Sequence, residues 1–322
     1  MSTVHTPAAV DFPGRIPYNF QSSGTDGRLT METNDKKCKN GFATPRTSAP
    51  EPRPKDVIVQ FSGGIDSLYT ALFLGEQYER IHLLTFDKGY LHLGLNFSRP
   101  NITRLKQILG EERVIFRVID TRPLFRELAI RGLRRNARRY GNEIAWCIPC
   151  RASMALACVQ YALENGIPAF TDGANWEQAP GRETILVTAD NYPGYLQLIH
   201  DFARDFHVRY FSPVYELNSR EERRRLLLQQ DFHIDWNSLD VEHPKSLANL
   251  FKPRYYRRFQ PVCLSGWLAH WKRNLFHVRE NTSEEKVLEF ITPRLQKMRR
   301  EYFPAHFRGL GLDLDEVVAR RQ

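Results

Sequence analysis

The stretch "VIVQFSGGIDSLYTALFL", Val57 to Leu74, constrains the chain more than any other. It opens with β-branched and aromatic residues in the manner of a buried strand and closes with a helical pattern. Between the two stands Ser62-Gly63-Gly64-Ile65-Asp66-Ser67. A strand feeding a helix through so short a glycine turn starts a βα unit, and such units bind ligands beyond the carboxyl ends of their strands. Two glycines let backbone N–H groups converge on an anion, the helix start adds its positive end, and Ser62 and Ser67 can donate hydroxyl hydrogen bonds. No Gly-Lys-Ser/Thr follows and no Gly-x-Gly-x-x-Gly is present, which excludes the lysine-bearing phosphate loop and the dinucleotide fingerprint. Asp66 would repel a phosphate unless a divalent cation such as Mg2+ stood between them.

The rest of the chain supports one α/β reading. "IHLLTFD" and "VIFRVID" are strands and "IPAFTDGAN" is a strand running into a loop. "NITRLKQILG", "RPLFRELAIRGLRRNARRY" and "ASMALACVQYALENG" are helices. Alternation of this kind predicts a doubly wound parallel sheet. Residues 1–55, rich in Pro, Ser, Thr and Gly, are expected to be a disordered N-terminal arm. The sheet domain is expected over 56–215. A mainly helical portion follows over 216–322, with the border near Ser212 to Ser219 and helices at "REERRRLLLQQ", "SGWLAHWKRNLF" and "EEKVLEFITPRLQKMRREYF". Of the 322 residues 42% are hydrophobic, enough for a core, yet no apolar run is long enough to span a membrane and the first residues lack a secretory pattern. A cytoplasmic location is the expectation. The formal charge of +9 suggests an anionic partner.

With these residues in view, the loop resembles the Ser-Gly-Gly-x-Asp-Ser motif of the PP-loop ATP pyrophosphatases (HUP-like folds), over roughly residues 55–267. The resemblance implies that ATP is cleaved between its α- and β-phosphates, with the pyrophosphate held by Ser62, Gly63, Gly64, Asp66 and Ser67. It also implies that the end of the second strand, around Phe86 and Asp87, lies near adenine or ribose. "TDGANWEQ" resembles the Asp-Gly-Thr-Asn segment of the sulfur-transfer branch, which includes tRNA thiolation enzymes and the nickel-pincer cofactor enzymes. That likeness would place Asp172, Gly173 and Asn175 at ATP or the cation. The branch then carries Tyr-Arg-Pro-Gly, whereas this chain has Asn191-Tyr192-Pro193-Gly194. An arginine is missing there, and Arg182 is the candidate substitute.

Five cysteines, an odd and sparse set, argue for reduced thiols rather than a disulfide framework. Cys147 and Cys150 form a Cys-x-x-Cys pair just ahead of a helix, and Cys263 follows a proline in "RRFQPVCLSGW". Some sulfur-transferring members of the family share this layout. Three thiolates admit a [4Fe-4S] cluster with one open iron, or a persulfide on one cysteine released by another. A structural zinc ranks third, because Cys158 or His270 would have to complete its ligands. Cys158 reads as core packing and Cys38 as incidental.

Loop and thiols together imply an adenylating sulfurtransferase. ATP activates a carbonyl or amide oxygen, and sulfur from sulfide or a persulfide carrier replaces it. The acceptor is a small molecule, a nucleobase or a tRNA. "RGLRRNARRY" and "KPRYYRRF" mix arginine with aromatics as RNA-binding surfaces do, while the absence of a recognisable RNA-binding appendage favours a small acceptor. Two rivals stand beside this reading: an ammonia-dependent amide or C–N ligase, which needs none of the cysteines, and a nucleotide-binding regulatory module without catalysis.

Overall fold

The computed structural model describes residues 54–175, 191–215, 217–234, 259–270 and 282–321. Expectations for the N-terminal arm, Cys38, Arg182 and Lys252 to Arg258 fall outside the described residues.

In chain order, strand β1 (Asp56–Gln60) leads through the glycine turn into helix α1 (Ile65–Gly75). Strand β2 (Arg80–Asp87), the two-residue strand β3 (His92–Leu93), helix α2 (Arg99–Leu109) and strand β4 (Val114–Asp120) follow. Then come α3 (Arg122–Phe125), α4 (Leu133–Tyr140), α5 (Asn142–Asn165), strand β5 (Ala169–Thr171), α6 (Pro193–Arg204), strand β6 (Arg209–Phe211) and α7 (Arg220–Gln229). Strand β7 (Val262–Cys263) and the helices Leu264–Ala269, Glu284–Lys297, Phe303–Gly309 and Leu314–Ala319 complete the described chain.

Five strands form one sheet in the order β4-β2-β1-β5-β6, every neighbouring pair parallel. Strand order reverses at β1, so a crevice opens beyond the carboxyl ends of β1 and β5, the place where such sheets bind ligands. Val57, Ile58 and Val59 have no exposed surface, which is why their run reads as continuously apolar rather than alternating. The core continues through α5 and α6 into the C-terminal helices. Leu156, Phe170, Phe202, Phe290, Phe303 and Phe307 belong to one buried cluster.

Several local expectations change. The basic helix expected over "RPLFRELAIRGLRRNARRY" is interrupted. A π-helical turn occupies Arg126–Ile130, and Gly132, at φ +80°, starts α4 from a left-handed conformation that favours glycine. The cysteine pair does not precede its helix but lies within it: α5 begins at Asn142 and runs 24 residues, with Pro149 inside. A further strand lies where the sequence shows no strand pattern, because Arg209–Phe211 pairs with β5 at the sheet edge. Three residues are too few to leave a period. A second, two-stranded antiparallel ribbon joins β3 to β7, with His92 opposite Cys263 and Leu93 opposite Val262.

Candidate active site

The glycine turn is built as its sequence predicts. Gly63 sits at φ +74°, and Gly64 precedes the first turn of α1 in extended conformation. The Ser62 and Ser67 hydroxyls are 3.1 Å apart, and Ser67 Oγ accepts from the Ser62 N–H at 3.2 Å. The serines thus define the rim of the turn. Asp66 faces Arg223 of α7, whose Nε is 3.2 Å from Oδ1 and whose side chain is fully buried. The Nε–H is not aimed at the oxygen, so this contact is Coulombic rather than a directed hydrogen bond. Arg223 Nη1 also donates to the Val214 carbonyl at 3.1 Å. The charged group that the structure sets beside Asp66 is this guanidinium.

Asp172, Gly173 and Asn175 leave the end of β5 directly beside this turn. A Cβ on Gly173 would stand 3.0 Å from the Ser67 nitrogen and 3.1 Å from Asp66, so glycine is what permits the approach. Asp172 has internal partners on both carboxylate oxygens. Oδ1 accepts from Ser212 Oγ at 2.8 Å and Ala174 N at 3.0 Å, and Oδ2 from Tyr210 OH at 2.8 Å and Arg151 Nη2 at 3.2 Å. Its carboxylate orders the segment from within. Asn175 is fully buried in the same segment. Asp87, at the end of β2, accepts from Gly89 N at 2.8 Å and shapes the turn that follows.

The three cysteines converge although 113 residues of chain separate Cys150 from Cys263. Cys147 and Cys150, three residues apart on α5, share a helix face. Cys263 reaches them through the β3–β7 ribbon. Lys88, the first residue after β2, joins them: its ammonium donates to Cys263 Sγ at 2.8 Å and to Cys150 Sγ at 3.4 Å. Cys263 Sγ also accepts from Gly266 N at 3.0 Å. Cys147 Sγ lies 3.2 Å from His270 Nε2, and His270 Nδ1 is 3.5 Å from Glu143. Cys158, one of the fully buried residues, packs in the core as expected.

Burial pushes the Cys147 thiol well up, and Cys150, Glu143 and Cys263 add to it. Burial likewise raises Cys150, partly offset by Lys88. Burial works to lower the Lys88 pKa, but the surrounding sulfurs of Cys150, Cys263 and Cys147 outweigh it and raise the ammonium above its ordinary value.

Loop and thiols meet through one segment. A Cβ on Gly63 would stand 2.6 Å from the Phe259 carbonyl oxygen, and one on Gly64 would stand 2.6 Å from Gln260 Oε1. Three residues past Gln260 is Cys263. By donor chemistry, Cys147, Cys150 and Cys263 match in kind what a [4Fe-4S] cluster takes, and in number they would serve three of its four irons and leave one open. Among the described residues, however, no group of three or more His, Cys, Asp or Glu side chains is placed to hold a metal ion.

Sequence reasoning missed Lys88, Arg223 and Glu143. Lys88 carried a signal, since it directly follows a strand end; Arg223, one of several arginines in "REERRRLLLQQ", carried none.

No family model matches the chain. Solved structures are similar, among them the following three. A 4-thiouridine synthetase in complex with RNA and bound ATP aligns at 14% identity and a TM-score of 0.48, covering 83% of this chain and 53% of that one. The present chain therefore spans about half its length. The U34-tRNA thiolase NcsA from Methanococcus maripaludis with its [4Fe-4S] cluster aligns at 13% identity and a TM-score of 0.33, over 78% of this chain and 74% of that one. A predicted subunit of a tRNA methyltransferase from Methanocaldococcus jannaschii aligns at 16% and 0.32, over 60% and 94%.

Proposed function

We propose that the chain is an ATP-dependent sulfurtransferase: it adenylates a carbonyl or amide oxygen of its acceptor, releases pyrophosphate, and replaces that oxygen with sulfur. One observation carries the reading. The segment from Phe259 to Cys263 lies on the glycine turn at one end and on the Lys88–cysteine cluster at the other.

The backbone N–H groups of residues 62–67 and the start of α1 receive the β- and γ-phosphates, and the Ser62 and Ser67 hydroxyls turn from each other to phosphate oxygens. Arg223 neutralises Asp66, so the turn does not repel its anion. The acceptor oxygen attacks the α-phosphorus, the α–β anhydride bond breaks, and pyrophosphate leaves into the turn. The acceptor carbon now carries AMP, a good leaving group.

Sulfur arrives as a persulfide on Cys263, loaded by a persulfide carrier or by sulfide with an oxidant. Its terminal sulfur attacks the carbon and expels AMP. Cys150 then attacks the Cys263 sulfur, the S–S bond to the product breaks, and the thiocarbonyl product leaves. The resulting Cys150–Cys263 disulfide needs a thiol reductant to reset. Both sulfurs lie within 3.4 Å of Lys88 Nζ, which supports this pairing and holds charge against the developing thiolate. Were Cys147, Cys150 and Cys263 to hold a [4Fe-4S] cluster instead, it would supply an open iron for sulfide.

A small carbonyl compound or nucleobase is the acceptor on this reading. A tRNA acceptor is favoured by one observation: Arg134, Arg135 and Arg138 are exposed on α4, have no carboxylate partner among the described residues, and lead directly into the thiol-bearing α5.

The test is product analysis on Cys→Ala variants under anaerobic conditions, with iron and sulfide assayed on the purified protein. Cys150→Ala and Cys263→Ala should still release pyrophosphate with acceptor present while yielding no thiolated product. Full turnover of all three Cys→Ala variants would return the chain to the ammonia-dependent ligases. ATP binding with no pyrophosphate release under any acceptor would make it a regulatory module.

A further inference from the structure

The four residues after β2 are held in an unusual way. Gly89, Tyr90 and Leu91 lie consecutively at φ +64°, +49° and +62°, a left-handed backbone that tyrosine and leucine rarely adopt. The turn is pinned at both ends: Asp87 accepts from Gly89 N at 2.8 Å, and the Leu91 carbonyl accepts from Leu264 N at 3.1 Å. Such strain persists only where the surroundings over-determine it.

Two side chains are aimed by this turn. Lys88 goes inward onto Cys150 and Cys263. Tyr90 goes onto a pair of rings, with its centroid 5.4 Å from Phe125 and 6.1 Å from Trp146, which themselves meet at 5.0 Å. Phe125 is fully buried, whereas Tyr90 keeps 39% of its surface exposed. The rings therefore step from the core to solvent. Trp146 immediately precedes Cys147, and the Lys88 ammonium that touches two sulfurs stands 5.7 Å from the Phe125 ring and 5.9 Å from the Trp146 ring.

The charged groups around the thiols are already engaged, Lys88 with sulfur and Glu143 with His270. What faces outward beside them is apolar: Tyr90 itself, Leu91 on the same turn, and Leu264 and Leu268 on the helix that follows Cys263. The charged side chain packed against this turn, Arg122, is engaged by Asp120. A flat conjugated ring finds a face to stack on, next to the atoms that would deliver sulfur.

We propose that Tyr90 is the acceptor platform: its exposed ring stacks a planar, carbonyl-bearing heteroaromatic ring and holds the carbonyl carbon towards Cys263. The proposal rests on the sulfur-transfer reading and narrows its acceptor to conjugated rings, excluding aliphatic carbonyl compounds.

Uracil and 5,6-dihydrouracil separate stacking from hydrogen bonding, because both carry the same imide but only uracil is flat and conjugated. Saturation-transfer NMR on the full chain with ATP present should show uracil binding at least about fivefold tighter than dihydrouracil, the low end of a base–aromatic stack. Tyr90→Phe should keep that preference and Tyr90→Ala should abolish it. Tyr90→Gly, which removes the ring and relieves the left-handed strain, should melt no lower than Tyr90→Ala yet also lose uracil. Equal binding of the two probes, no binding of either, or uracil binding unchanged in Tyr90→Ala would overturn the platform. ATP binding is measured alongside on the wild-type chain, and its absence would instead sink the sulfur-transfer reading itself.

Discussion

Arg223 has no exposed surface, and its guanidinium stands 3.2 Å from a carboxylate at the mouth of the glycine turn. Removing one member of a buried ion pair strands the other, at about 3–5 kcal/mol. Asp66 keeps 17% of its side chain exposed, which places the cost near the lower end. Asp66→Ala and Arg223→Met should therefore each lower the melting temperature by several degrees, and the double variant should lose less than the two combined. Strict additivity in thermal melts would show that the pair is not coupled. At the thiols, Cys147 and Cys150 keep part of their surface open, yet burial raises both. Iodoacetamide should label them slowly at neutral pH and quickly only above the ordinary thiol range. The same shift has a stability sign. A thiol whose folded pKa is raised favours the fold below its unfolded pKa, and that contribution fades as pH climbs towards the folded value. Stability should therefore fall at alkaline pH, and less steeply in Cys147→Ala; identical slopes in urea titrations would count against the buried-thiol account.

Among the elements, the glycine turn and the segment carrying Cys263 are in van der Waals contact, and the two glycines are not equivalent there. A methyl on Gly63 meets the Phe259 backbone oxygen and the Ser98 Cβ, on a residue already at φ +74°; on Gly64 it presses on the movable end of the Gln260 side chain and reaches the Ser62 hydroxyl at ordinary contact distance. Gly63→Ala should weaken ATP binding by well over tenfold in calorimetry and Gly64→Ala by much less, and a reversed order would refute the packing. Gly132→Ala tests a different glycine, at φ +80° with no backbone pressing on it. It should cost about 1 kcal/mol of stability and leave ATP affinity alone. These cases show what the sequence made legible. A buried strand, a glycine turn and the stretch of α5 from Ala152 to its glycine stop leave a period or a breaker to read, whereas the start of α5 at Asn142, ahead of the cysteine pair, was not legible. The ribbon of His92–Leu93 with Val262–Cys263 has two residues a side and its pairing is entirely non-local, so nothing in either segment announces the other. Lys88 and Tyr90 owe their places to three consecutive left-handed residues, of which only Gly89 favours that conformation.

Across the whole molecule, residues 53–322 cluster as one compact unit, and contacts join the described residues on either side of 212–219. Ser212 holds Asp172, Arg223 holds Asp66, and Phe290 of the Glu284–Lys297 helix lies fully buried in the cluster that contains Phe170 of β5. Phe290 also packs edge-on against Tyr140 with ring centroids 5.2 Å apart, beneath the Arg294 guanidinium at 3.7 Å. The C-terminal helices therefore support the end of α4, from which α5 and its cysteines start. Phe290→Ala should cost about 3–5 kcal/mol, although Phe290 belongs neither to the glycine turn nor to the thiol cluster. Because the core is shared, that loss should appear equally in two probes: the urea midpoint of far-UV circular dichroism, and the urea concentration at which Cys147 and Cys150 become open to alkylation. If the helices only decorated an independent sheet, the dichroism signal would split into two steps and the thiols would stay protected through the first. Coincident shifts would mean that the distant C-terminal helices and the thiol pocket unfold as one.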